Sequence, residues 1–314
     1  MNVLGLHLDP VGLAAASIFL ALVLVPEILR LVRRRRARTR ARADGDVFMK
    51  RSAGGRPPLN AADVDDLIRW QTDHTLACAY VVVGDAPPVA DVASRLGGGA
   101  WLPAGQDWPV GRNGRAMIFV AQVNFADVPP LPDYPDHGLL LFFISDDDVW
   151  GINFDDLEKS DARVIHVPDP GAPGRILRRP GPPAETSPFH DEDVKTHGRA
   201  VHFLASTMKP GRDDWRIEET WPGWWARGGE ARFGELLETP VDPEEGIYVG
   251  GHPCFTQTDP RGRGGGQDFD RVLLQVGSDD AFMWGDVGEA SFLIRRADLL
   301  ARNFSSILFT WDCH

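Results

Sequence analysis

Apolar residues fall in two kinds of run along this chain. The first run is long and sits near the start. Residues Val11 to Val25 carry no charge and are mostly Ala, Val, Leu, Ile and Phe. After Pro26 and Glu27, the residues Ile28, Leu29, Leu31 and Val32 continue the pattern. The uncharged stretch alone would span only about 22 Å as a helix, whereas extension to Val32 reaches the ~30 Å of a hydrocarbon core. Arginines follow immediately, including Arg33, Arg34, Arg35 and Arg36, and nothing basic precedes the run. A secretory signal carries its positive charge on the other side. The pattern therefore predicts one transmembrane helix, with the arginine side cytoplasmic and in reach of anionic headgroups. It places the folded part at the cytoplasmic face of the cell's cytoplasmic, or inner, membrane.

Residues 43–58 lack periodicity and are rich in Gly, Pro and Arg, which predicts a flexible tether between an anchor over 1–42 and a folded body over 59–314. The second kind of run, short and mostly unbroken, belongs to that body. Asn60 to His74 reads as a helix, with Asn60 as N-cap, Asp63 in the first turn and an apolar stripe through Val64, Leu67 and Ile68. Strands are predicted at 79–83, 115–123, 139–144, 162–167, 199–205, 271–276, 290–294 and 306–311, and further helices at 231–238 and 297–302. Strands predominate without regular βαβ alternation, so the predicted class is α+β.

The two halves of the body echo each other. Gly98 precedes Gln122 by 24 residues and Gly251 precedes Gln275 by 24. Gly138 leads into LLLFFI and Gly288 into EASFLI, at nearly the same offset, 153 residues for the first pair and 150 for the second. This predicts a duplicated, pseudo-twofold unit, with repeat one over about 78–168, an insert over about 169–246 and repeat two over about 247–314. The motifs GGGAWLPAGQDWP, FVAQVNFADVPPLPDYPDHGLLLFFI, GGHPCFTQTDPR, LLQVGSDD, MWGDVGEASFLI and FSSILFTWDCH, in that order, resemble the YwqG-like family, a bacterial domain of unknown function. The resemblance implies a duplicated α+β fold. It brings no catalytic residues, cofactor or partner.

Charge narrows the function classes. Eight arginines against Asp9 and Glu27 make residues 1–43 +6, which leaves −18 of the net −12 for the rest. So acidic a body argues against nucleic acid, whose phosphates need clustered Lys and Arg. Three scattered cysteines give neither a disulfide framework nor zinc spacing. The acidic run from Ser145 to Asp156 has Trp150 and Leu157 where a calcium loop needs oxygen ligands, so it reads as turn residues. His190, His197 and His202 lack a ligand spacing, and Asp312, Cys313 and His314 alternate in direction on a strand. No phosphate loop or nucleophile elbow is present, and neither a metal nor a cofactor is predicted.

Two candidate surfaces remain. Trp221, Trp224 and Trp225 crowd one segment, either as packing for a long loop or as a surface for a protein partner. Gln122 and Gln275 either hydrogen-bond within the core or face a cleft between the halves together with Trp284 and Asp286. The leading expectation is a non-enzymatic binding protein with a protein partner, of an immunity or antitoxin type. The alternative is an enzyme or small-molecule sensor using the inter-repeat cleft.

Overall fold

The computed structural model describes residues 2–3, 6–7 and 57–314, apart from 183, 185, 230–245 and 280. It divides into two compact units, 1–56 and 57–314. In the first, Asn2–Val3 pairs antiparallel with Leu6–His7. The apolar run through Val32, Arg33 to Arg36 and the helix expected at 231–238 all lie outside the described residues. Among the described residues no helix is long and apolar enough to cross a membrane.

The second unit opens with helix α1 (Ala61–Asp73). Asn60 accepts hydrogen bonds from the Ala62 and Asp63 amides, while Asp63 accepts from the Asn60 amide, so the first turn is reciprocally capped. Val64, Leu67 and Gln71 form its buried face. Strands follow as β1 (Leu76–Val83), β2 (Arg95–Leu96), β3 (Ala100–Pro103), β4 (Ile118–Asn124), β5 (Leu139–Ile144), β6 (Ala162–Val167) and β7 (Gly174–Leu177). Then come α2 (Glu192–His197), β8 (Arg199–Met208), α3 (Trp215–Thr220), β9 (Ile247–Gly250) and α4 (Arg261–Gly264). The chain ends with β10 (Arg271–Gly277), β11 (Glu289–Ile294), α5 (Arg296–Leu300) and β12 (Leu308–Asp312).

Among the described residues ten strands form one nearly closed sheet in the order β12-β11-β10-β9-β1-β8-β2-β4-β5-β6, antiparallel throughout. The expectation of an α+β body behind a transmembrane helix is corrected accordingly. Strands carry the architecture, and after the 13-residue α1 no described helix exceeds six residues. The short strands β2, β3, β7 and β9 escape a sequence reading because two to four residues are too few to display a period.

A central pair, β1 with β8, is flanked by two four-strand meanders. The strand that precedes each meander in the chain pairs with the other one: β1 with β9, and β8 with β2. The ladders carry matching irregularities, between Phe119 and Ala121 on β4 and between Val272 and Leu274 on β10. The inner face of the sheet is one apolar core drawn from both meanders, where Phe142 meets Phe292 at 5.1 Å. Each outer face carries its own smaller layer. Strands buried on both sides need apolar residues at every position, which is why LLLFFI shows no alternation.

Candidate functional site

The outer faces of the two meanders are built on the same register but with different residues. On the first, Gln122 stands opposite Leu141, and Asn124 opposite Leu139. On the second, Gln275 stands opposite Ser291, which stands opposite Thr310, while Gly277, Glu289 and Asp312 form the next row. The first face is sealed: β3 and β7, a separate two-stranded sheet, put Trp101 and Leu102 over Leu139, Leu141 and Phe143. The second carries a buried polar stripe, with Glu289 3%, Ser291 1% and Thr310 4% exposed. A buried stripe of this kind must be fully hydrogen-bonded, and its amide is. Gln275 Oε1 accepts from Ser291 Oγ at 2.6 Å, and its Nε2 donates to the Cys254 carbonyl at 3.0 Å and to Glu289 Oε2 at 3.1 Å.

The stripe ends at a cleft of about 450 Å³ on the outer side of β12. The segment after β9 forms one wall with Phe255 and Gln257, and the β5–β6 connection forms the other with Phe154 to Glu158. Trp311 ties β12 to the second wall, since its Nε1 donates to the Val149 carbonyl at 2.8 Å and its ring meets Trp150 at 4.8 Å. Four carboxylates line the cleft, Asp155, Asp156, Glu158 and Asp312, with no Lys or Arg lining it among the described residues. From outside the lining, Lys159 pairs with Asp156 at 2.7 Å and Arg295 with Glu158 at 2.8 Å. Asp155 is exposed and makes no ion pair among the described residues. Phe154, 70% exposed, offers a ring at the mouth.

Asp312 is the most distinctive group. It is half-buried, and its carboxylate accepts from the backbone amides of Thr256 at 3.0 Å and Gln257 at 2.7 Å. Burial nonetheless raises its carboxyl to about 6; the two amides pull the other way, and the neighbouring Asp259 adds to the rise. Asp259 itself is tied to Arg261 at 2.6 Å in a buried pair, so that arginine is already engaged. A carboxylate beside aromatic faces suits a cationic group, and a carboxyl titrating near 6 suits proton transfer.

The residues singled out from sequence fall in several places, and none of Gln122, Gln275, Trp284 and Asp286 lines this cleft. Gln122 is fully buried under the sealed face; Oε1 accepts the Trp101 amide at 3.0 Å and Nε2 donates to the carbonyls of Asp91 at 3.0 Å and Ala93 at 2.9 Å. Gln275 is the buried root of the stripe. Trp284 lies in the inner core, 5.2 Å from Trp150 and 6.3 Å from Phe309. Asp286 is exposed, and its carbonyl accepts from the His314 amide. Trp224 is fully buried and Trp221 and Trp225 half-buried, packed with Leu59, Leu67 and Trp70 against α1. In the acidic turn, Asp146 is buried and paired with Arg179 at 2.6 Å, while Asp147 caps the Val149 and Gly151 amides. The buried stripe was legible by one comparison, since EASFLI places Glu289 and Ser291 where LLLFFI has Leu139 and Leu141, whereas the acids that line the cleft were not.

The class is thus an all-antiparallel, strand-rich protein with a polar cleft on one meander. Over residues 94–313 the chain matches a domain of unknown function (DUF1963), and it belongs to that family. No curated protein matches it.

Proposed function

We propose that the chain is a binding protein whose cleft receives a cationic group, a lysine or arginine side chain presented by a protein partner. One observation carries the reading: at the stations where the first meander has Leu139 and Leu141 sealed beneath β3 and β7, the second has Glu289 and Ser291 in a polar stripe that leads to a cleft at Asp312. With Asp156 and Glu158 paired, Asp312 and Asp155 are left to meet an incoming cation, while Phe154 and Trp311 supply aromatic surface for its aliphatic stem or planar head. On its ordered motifs we also group the chain with the YwqG-like proteins.

Calorimetric titration with N-acetyl-lysine-methylamide, its arginine counterpart and a Lys/Arg-containing peptide tests this. We expect millimolar or tighter binding at pH 7.5 that weakens about tenfold in Asp312→Asn and also weakens below pH 6, as the carboxyl takes up a proton. Absence of binding, or binding indifferent to Asp312→Asn, overturns the reading. The raised carboxyl of Asp312 favours a second reading, an enzyme using it as general acid–base. Consumption of a bound ligand, abolished by Asp312→Asn, would establish that one instead.

A further inference from the structure

A second concavity, about 680 Å³ in volume, lies apart from the acidic cleft, between β6 and the segment Arg302–Ser305 that leads into β12. β6 is an end strand and, among the described residues, pairs only with β5. Ser145 and Asp161 continue that register by one residue, and the Ser145 amide donates to the Asp161 carbonyl at 3.1 Å. Facing pairs in an antiparallel ladder alternate between bonded and non-bonded. Arg163, Ile165 and Val167 therefore turn their peptide groups toward β5, and Ala162, Val164 and His166 turn theirs outward, along the groove. None of those three outward sets meets a partner beyond β5 among the described residues. A row of unpaired donors and acceptors along the end of a sheet is a template for another strand.

The charge of this groove runs against that of the body. Arg163 and Arg302 are exposed and neither makes an ion pair with a carboxylate among the described residues. The Arg302 guanidinium is held by the carbonyls of Asp133, Leu299 and Tyr134, which fix its position without neutralising it. Asp107 is the one acid along the lining. His166 lies against Phe304 at 4.9 Å and gives the groove a firm wall.

We propose that this groove binds an extended, acidic segment of a partner protein as an added strand on β6, its backbone pairing with Val164 and His166 and its carboxylates meeting Arg163 and Arg302. Main-chain pairing supplies affinity in such strand addition, and the flanking charges select the sequence. The site is separate from the cleft of the proposed function and stands or falls without it.

The test is fluorescence anisotropy on the full chain with a labelled eight-residue peptide alternating Glu and Val. Three comparisons accompany it: the Lys–Val peptide, the Glu–Val peptide N-methylated at alternate residues in each of the two phases, and the Arg163→Glu protein. We expect saturable binding of Glu–Val that falls with salt, weakens about tenfold in Arg163→Glu, and is lost in one methylation phase but kept in the other. Arg163 is exposed and makes no ion pair among the described residues, so that variant keeps the fold. Equal binding of Lys–Val, or indifference to both methylation phases, overturns the proposal. Failure of Glu–Val to bind does so too, and a dimer in sedimentation with this edge occluded would assign the groove to a second copy. None of these readouts involves Asp312, so failure here is distinguishable from failure of the cation site.

Discussion

Gln122 and Gln275 occupy matching stations on the two meanders, and they are used differently. Each amide oxygen accepts the backbone N–H three residues after a left-handed glycine, Trp101 after Gly98 and Cys254 after Gly251, at 3.0 and 3.5 Å. These glycines are required: at Gly98 a Cβ would come within 2.8 Å of the Gly198 amide, besides needing an unfavourable φ. Beyond that shared clamp the halves diverge. Gln122 spends its amide group on the carbonyls of Asp91 and Ala93, and its strand neighbours Leu139 and Leu141 are fully buried beneath β3 and β7. Gln275 spends its own on Cys254 and Glu289, and the polar row continues through Ser291 and Thr310 to the cleft. One scaffold position thus serves stability alone in the first meander and supports a candidate binding surface in the second.

Swapping residues between matched positions is the most direct way to break the comparison. Leu141→Ser should be the costliest change. It opens a cavity and strands a hydroxyl in a sealed apolar layer, for a loss of ~4 kcal/mol in denaturant unfolding. A loss below ~1 kcal/mol would mean that the first outer face is not sealed. Next comes the pH dependence of Asp312. Its carboxyl lies near 4 in the unfolded chain and at about 6 in the fold, so the fold binds the proton more tightly. The wild type's stability relative to Asp312→Asn is therefore greatest below pH 4 and falls by up to ~3 kcal/mol as pH rises through 6. A difference that stays flat from pH 4 to 7 would place Asp312 in free contact with water.

His252 titrates in the opposite sense. Burial lowers it to about 4, with Nε2 bonded to the His74 carbonyl at 2.7 Å. Below about pH 6.5 the unfolded chain takes up the proton first, so stability is lost as pH falls from there toward 4. We expect His252→Gln to flatten that acid loss by roughly 2 kcal/mol, measured as the difference in unfolding free energy between pH 7 and pH 4.5. An unchanged acid profile would exclude His252 as its source. Ser291→Ala is the mildest change, about 1 kcal/mol for one hydrogen bond whose acceptor, Gln275 Oε1, keeps the Cys254 amide. Together with Leu141→Ser it measures how unequal the two outer faces are.

Short stretches of the chain carry strong local signals. The Asn60 cap and the apolar stripe that follows it predict α1, and the unbroken run LLLFFI predicts the strand β5, which the fold then buries on both faces. The two glycine-to-glutamine spacings mark Gln122 and Gln275 as equivalent. The site is less legible because its parts are remote in sequence. Asp155 and Asp312 meet across one cleft, and a periodicity within eight residues carries no information about a partner 157 positions away. Trp224 shows the same limit, since only its packing against Leu67 distinguishes a buried ring from an exposed one.

What the sequence determined alone is the content of each strand: which residues pair apolar sides with apolar layers, where glycine permits the left-handed turn, and where a polar residue interrupts a buried run. These follow from φ/ψ sterics and from the alternation of side chains along a strand, both properties of short stretches of chain. Tertiary structure alone decided that β1 and β8 each pair with the other meander, that β7 returns to seal the first outer face, and that the second stays open beside Asp312. Those choices depend on contacts between distant segments, whose free energies no local pattern records.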